Sequence, residues 1–173
     1  CLILDETYYL FSGQSALSLL EEFDNLLICR SFSKDYGLAA LRIGYGIGSQ
    51  SLIQEMEKIR LPYNVSLLAE KAAIAALRDQ EFVRQTLDAV KAGRDYLEAV
   101  LSKLGFKTYP SGGNYLFIQV EDSDRFTASL RQKGISVRNY GRYGGFEKSY
   151  VRISVGTSKQ NKKLVEALTE LGK

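Results

Sequence analysis

The chain has 173 residues, 45% of them hydrophobic and 25% charged, with a formal net charge of +3, enough for one good core or two small ones and ordinary for a globular protein. It contains no histidine, which removes the commonest metal ligand and the usual general base and so sets aside zinc enzymes, other histidine-built metal sites and Ser-His-Asp hydrolases. Acids and bases are interspersed, without a basic tract, zinc-knuckle spacing or aromatic ribonucleoprotein motif, so no nucleic-acid partner is expected; no apolar run is long enough to span a bilayer, so no membrane partner is expected and a cytoplasmic location is.

Cys1-Leu2-Ile3-Leu4 opens the chain as an apolar strand predicted to be interior, with Asp5-Glu6-Thr7-Tyr8 at its carboxyl end. Ligands of open α/β sheets bind just beyond the carboxyl ends of strands. An aspartate there can keep a pyridinium nitrogen protonated, and a tyrosine three residues on can donate a hydrogen bond to a phenolate oxygen. Residues 17–20 suit a short helix. Leu26-Leu27-Ile28-Cys29-Arg30 reads as a second buried strand and residues 41–47 as a third, which puts Lys34 in the connecting loop. Cys1 and Cys29 fall on strands predicted to be buried, and two unpatterned cysteines argue for neither a disulfide framework nor a metal site.

Lys34 stands within Ser31-Phe32-Ser33-Lys34-Asp35-Tyr36-Gly37-Leu38-Ala39-Ala40-Leu41-Arg42-Ile43-Gly44. The hydroxyls of Ser31 and Ser33 and the planar fork of Arg42 suit phosphate oxygens. A lysine beside a phosphate site suggests pyridoxal phosphate, because an amine held toward its neutral form condenses with carbonyl cofactors. Taken alone, the motif is equally a solvated surface loop.

Asp-Glu-x-Tyr after an apolar strand, followed by Ser-Phe-Ser-Lys-x-Tyr-Gly-Leu-Ala-x-Leu-Arg-Ile-Gly-Tyr, resembles the fold-type I, class I/II aminotransferases, with its nearest likeness to the histidinol-phosphate aminotransferases. The resemblance implies an α/β fold: the carboxyl-terminal part of the PLP-dependent transferase large-domain sheet, then a small α+β domain. It implies pyridoxal 5'-phosphate as cofactor, with Asp5 on the pyridine nitrogen, Tyr8 on the ring oxygen, Lys34 as the catalytic Schiff-base lysine, and Ser31, Ser33 and Arg42 on the phosphate. Asp35 stands where the family carries a small residue and is expected to alter the pocket rim. A small-molecule amino donor, a 2-oxo acid and a homodimer whose site borrows residues from the neighbouring subunit are implied as well. The chain lacks an initiator Met and begins on a strand. The family's upstream elements, a glycine-containing phosphate turn, a stacking aromatic ring and an asparagine, have no counterpart, so the chain is expected to be roughly the carboxyl-terminal half of such an enzyme.

Residues 50–59 suggest a helix with Leu52, Ile53, Met56 and Ile59 on one side, stopped by Pro62. Ser66 is a candidate cap for the alanine-rich helix through Leu77; in the family the Tyr63-Asn64 loop lies near the site. A longer helix starts at Asp79, its expected cap, with Val83, Leu87, Val90, Leu97, Leu101 and Leu104 at steps of three and four and Arg94 interrupting the stripe. The domain boundary is placed at its start, giving 1–78 and 79–173.

Residues 106–109 and 115–120 read as strands around the turn Pro110-Ser111-Gly112-Gly113, and 123–133 as a helix with Phe126 and Leu130 inward and Gly134 as its stop. Residues 135–138 and 150–155 alternate, which turns Val151, Ile153 and Val155 inward and Arg152, like Arg138, outward. Thr157 and Gln160 form a capping box for a last helix burying Leu164, Val165, Leu168 and Leu171. Two arginines on neighbouring strands suit an anionic substrate, though solvated arginines explain them as well. Tyr-Val-Arg-Ile-Ser-Val-Gly-Thr is similar to the family's carboxyl-terminal block, which implies that Arg152 binds the substrate's anion, with Arg138 as a second arginine there. Asn114 fits a family block and equally a turn-supporting role, and Gly141, Gly144 and Gly145 suggest a loop that closes over substrate. The implied reaction is amino transfer from L-histidinol phosphate to 2-oxoglutarate, giving imidazole acetol phosphate and glutamate in histidine biosynthesis. An aromatic aminotransferase, a threonine-phosphate decarboxylase, a β-lyase or a catalytically inert fragment are the alternatives.

Overall fold

The computed structural model describes residues 1–142 and 148–171. Two compact units divide within one long helix, Cys1–Leu87 and Asp88–Lys173; the sequence places the domain boundary at that helix's start. Among the described residues no helix is long and apolar enough to cross a membrane.

The first unit is built on a three-stranded sheet in the order β1 (Leu2–Asp5), β2 (Leu26–Ser31), β3 (Gly44–Gly48). β1 runs parallel to β2, and β3 antiparallel to it. The continuous apolar run Leu26, Leu27 and Ile28 is buried, as expected of a strand covered on both faces. The interior placement of β1 is corrected, since Leu2 and Ile3 are 56% and 62% exposed. Cys1 is likewise exposed and precedes the strand, and Cys29 is only half-buried. The third strand is shorter than residues 41–47 suggest. Ala39–Leu41 is a 3-10 turn, and Arg42, at φ 52° in the left-handed region, redirects the chain before pairing begins at Gly44. A Cβ at Gly44 would lie 2.6 Å from the Arg30 carbonyl oxygen, so only glycine enters β3 so close to β2.

Between β1 and β2 lie α1 (Tyr9–Ser12) and a 3-10 turn at Leu17–Glu21, in place of the short helix expected there. α2 (Gln50–Ile59) and α3 (Leu67–Arg78) are capped by Ser49 and Ser66, whose hydroxyls accept from the N–H groups of Leu52 and Ala69. The apolar side proposed for α2 is open: Met56 is 39% and Ile59 83% exposed. α4 (Gln80–Lys103) begins where the Asp79 carboxylate accepts from the Phe82 N–H at 3.0 Å. Val83, near that start, joins Phe32, Tyr36 and Ala73 in a buried cluster that anchors both sides of the Lys34 segment.

The second unit carries a four-stranded antiparallel sheet in the order β4 (Lys107–Tyr109), β5 (Tyr115–Val120), β7 (Ser149–Ser154), β6 (Arg138–Arg142). One face contributes Leu116, Ile118, Val120, Val151 and Ile153 to a core completed by Leu97 and Leu101 of α4, by Leu130 of α5 (Ser123–Gln132) and by Leu164 and Leu168 of α6 (Ser158–Leu171). Leu171 remains 39% exposed. Arg94 interrupts the α4 stripe because its guanidinium reaches across to the Gly113 carbonyl at 2.9 Å. Residues 135–137 are not strand. Gly134 at φ 72° closes α5, and the Ile135 N–H bonds back to the Leu130 carbonyl, so that donor is committed to the helix end. The Thr157–Gln160 capping box forms in both directions, at 2.8 and 3.3 Å.

Candidate functional site

Because β1 and β2 are parallel and β3 returns, the carboxyl ends of the first two strands and the amino end of the third share one edge of the sheet. Asp5 pairs opposite Cys29, and Ser31 opposite Gly44. The backbone thereby brings Asp5, Tyr8, Ser31, Ser33, Lys34 and Arg42 to that edge from three separate stretches of chain.

Asp5 ends β1. Its carboxylate accepts from the Thr7 hydroxyl and, at 2.9 Å, from the Thr7 N–H. These two bonds, the hydroxyl's foremost, hold the carboxyl below the usual range against a smaller opposing effect of burial. It is therefore ionised at neutral pH. Tyr8 precedes α1 with its ring 6.3 Å from that of Phe11. The Ser31 hydroxyl accepts from the Ser33 N–H at 3.0 Å. Lys34 starts a tight turn closed by the Gly37 N–H on its own carbonyl at 3.2 Å, with Gly37 at φ 69°. Its side chain is exposed, and an exposed primary amine on a fixed turn is accessible to a carbonyl carbon. Arg42 is exposed as well, with one nitrogen on the Ala39 carbonyl at 2.8 Å.

Asp35 is not on a rim. It is completely buried; one carboxylate oxygen accepts from the Tyr36 N–H at 3.0 Å, and the other has no hydrogen-bond partner among the described residues. Burial pushes its carboxyl up. A bracket also lies outside the sequence reading. Glu6 receives Arg30 through two nitrogens at 3.0 and 3.1 Å, the Ser15 hydroxyl at 3.0 Å and the Ala16 N–H at 2.6 Å. The Arg30 guanidinium lies 3.7 Å from the centre of the Tyr9 ring. This tie joins the end of β1 to β2 and the intervening loop. Its sequence signal was an acid and a base at the ends of neighbouring strands.

In the second unit Arg138 and Arg152 stand opposite each other on β6 and β7, on the sheet face away from the core. Arg138 is exposed and Arg152 half-buried. Arg152 lies 5.3 Å from the Tyr115 ring centre and 6.0 Å from that of Tyr140, and its buried Nε has no hydrogen-bond partner among the described residues. It borders a cavity of about 520 Å³ whose walls include Tyr109, Phe117 and Tyr150; Phe117 and Tyr150 stack at 5.2 Å, nearly parallel at 4°. The sequence reading did not single out these rings, although the period of two already aligned Tyr150 with Arg152. Asn114 acts through its backbone, accepting from the Val155 N–H at 2.8 Å. Of the proposed closing loop, Gly141 lies in β6, and Gly144 and Gly145 lie outside the described residues.

The family model of aminotransferase class I and II matches residues 1–168, and the chain belongs to that family. A histidinol-phosphate aminotransferase of Geobacillus sp. (strain WCH70) is 43% identical over 175 residues, which cover 98% of this chain and 47% of the relative. Among solved structures, the histidinol-phosphate aminotransferase of Clostridium acetobutylicum superposes with a TM-score of 0.91 at 26% identity, covering 98% of this chain and 53% of its own. The Sinorhizobium meliloti enzyme of that name, solved in complex with pyridoxal-5'-phosphate, gives a TM-score of 0.84 at 28% identity, over 98% of this chain and 48% of its own. The chain thus spans about half the length of the curated relatives it matches.

Proposed function

We propose that this chain is the carboxyl-terminal part of a pyridoxal-phosphate-dependent aminotransferase that moves the amino group of L-histidinol phosphate to 2-oxoglutarate, giving imidazole acetol phosphate and glutamate. The observation that carries the reading is the strand register, which puts the ends of β1 and β2 and the start of β3 at one edge of the sheet, with Asp5, Ser31, Ser33, Lys34 and Arg42 on or next to those strand ends. The names of the relatives support the substrate.

The side chains fit the cofactor. Asp5, held ionised by Thr7, has the charge to pair with a protonated pyridine nitrogen. Tyr8 would donate to the ring oxygen, and Ser31, Ser33 and Arg42 would offer donors to the phosphate. When bound, pyridoxal phosphate supplies a carbonyl carbon and an electron sink. Lys34 would do the proton work, its amine taking a proton from the substrate α-carbon and later returning one. Arg152 and Arg138, side by side on β7 and β6, would hold the substrate anion. A homodimer in the cytoplasm belongs to the same reading. The support for the dimer is the apolar surface at Ile59, Leu61, Tyr63, Leu67 and Leu68, between 66% and 94% exposed, which is more than scattered apolar side chains account for.

The test is pyridoxal phosphate added to the polypeptide at the family's full length, reduced with borohydride and mapped by mass spectrometry. The expected result is a stable pyridoxyl group on Lys34 and glutamate formation from histidinol phosphate and 2-oxoglutarate. Lys34→Ala is expected to lose the adduct and at least about 10³-fold in turnover. No adduct at Lys34 overturns the assignment. Carbon dioxide release from threonine phosphate, with no amino transfer, would move the enzyme to the decarboxylases.

A further inference from the structure

The pairing of β6 with β7 is irregular at one point. Asn139 faces Val151, and Gly141, not Tyr140, faces Tyr150, so Tyr140 is the extra residue of a β-bulge. The bulge is held locally: Gly141 sits at φ 61°, a left-handed conformation that favours glycine, and its N–H bonds to the Asn139 side-chain oxygen at 2.7 Å. Bulges re-aim side chains. Here the Tyr140 ring lies edge-on to Phe117 at 5.4 Å and 84°, and 6.0 Å from the Arg152 guanidinium. Tyr115, on the strand at the other side of β7, is 5.3 Å from the same guanidinium. Arg152 is thus flanked diagonally by one ring from each neighbouring strand.

We infer that Tyr140 is a positioning residue: with Tyr115 it brackets the Arg152 guanidinium and fixes its plane, presenting the arginine to a carboxylate or phosphate oxygen at the aromatic-walled cavity. A guanidinium on a long side chain loses rotational freedom when it grips an anion. Ring faces on two sides hold it beforehand by cation–π attraction without using any of its N–H groups. This agrees with the buried Nε having no hydrogen-bond partner among the described residues. Tyr140 is itself 37% exposed, so its ring borders solvent as well as the arginine. The inference rests on the reading of Arg152 as the anion-binding residue.

The experiment is a titration of the ¹⁵N-labelled chain with inorganic phosphate, following the Arg152 Nε–H resonance, assigned by its disappearance in Arg152→Lys. This local probe separates the site from phosphate held near Ser31, Ser33 and Arg42. A saturable downfield shift is expected. Tyr140→Leu should raise the apparent Kd about three- to thirtyfold, whereas Tyr140→Phe, which keeps the ring, should leave it unchanged. Amide dispersion of β5 and β7 reports folding, and Tyr140→Val, a strand former, replaces the leucine variant if that one loses it. An unchanged Kd in the ring-less variant, read at the same Arg152 Nε–H resonance, overturns the role of Tyr140 and leaves Arg152 standing. No response of the Nε–H resonance to phosphate in the unsubstituted chain overturns both.

Discussion

Asp35 is fully buried next to the exposed Lys34, and one of its oxygens has no partner among the described residues. Burial penalises its charged form, so its carboxyl titrates above the ordinary 3.8. The folded state therefore holds this proton more tightly than the unfolded one. The contribution of Asp35 to stability is fully present below pH 3.8 and is lost as pH rises through the raised folded value. Asp5 and Glu6 act in the opposite direction. For Glu6, burial is the largest single influence and raises the carboxyl, but the Ala16 N–H, Arg30 and Ser15 together outweigh it. Their stabilisation is present above 3.8 and 4.5 and is lost as pH falls through their lowered values. The Asp35→Asn variant isolates one contribution: its urea midpoint relative to the parent chain should move in the variant's favour as pH rises through the Asp35 window. A difference independent of pH would show that the buried charge has no such effect.

Single turns and helix ends follow from a few neighbouring residues, and the packing between elements tightens at particular glycines. At Gly93 on α4, an added Cβ would lie 2.7 Å from Val155 Cγ1 and 2.9 Å from Asn161 Nδ2. Asn161 is buried and pinned by two hydrogen bonds to the Gly156 backbone, at 2.9 and 3.1 Å, so it cannot give way cheaply. Alanine in place of glycine inside a helix gains about 1 kcal/mol, whereas overpacking costs about 1–3 kcal/mol. Gly93→Ala is therefore expected to destabilise the second unit by up to about 2 kcal/mol, measured by urea unfolding; a stabilised variant would refute the close approach. The caps at Ser66 and Asp79 and the box at Thr157 and Gln160 were legible in the sequence because each is a contact within three residues. The start of β6 was not, because the Ile135 N–H that a strand would use is taken by the end of α5.

At the scale of the whole molecule the two units differ in how their sheets are buried. β5 and β7 are the central strands of the four-stranded sheet, with Leu116, Ile118, Val151 and Ile153 at most 1% exposed. β1 is an edge strand whose Leu2 and Ile3 face solvent. Amides of Ile118 and Val151 are expected to exchange at least about tenfold more slowly than those of Ile3 and Leu4, since local opening tracks buried apolar contact. Equal rates in hydrogen-exchange measurements would mean that the edge is protected as well as the centre.

Lys34 with its flanking hydroxyls, Asp5 after an apolar strand, and the alternation that turns Arg152 away from the core were all readable from residue order, because each depends on neighbours in the chain and on the two-residue period of a strand. The lysine's neighbour was misjudged: residue order marks Asp35 as polar and assigns it to a rim, and only the tertiary fold decides that it is buried. The Glu6–Arg30 tie, the reach of Arg94 to Gly113 and the rings around Arg152 join residues 24, 19 and up to 37 positions apart. Such contacts depend on strand order and register, which the tertiary structure alone decides. The chain's own residues determine which groups are available for chemistry, and the folded sheets determine which of them meet.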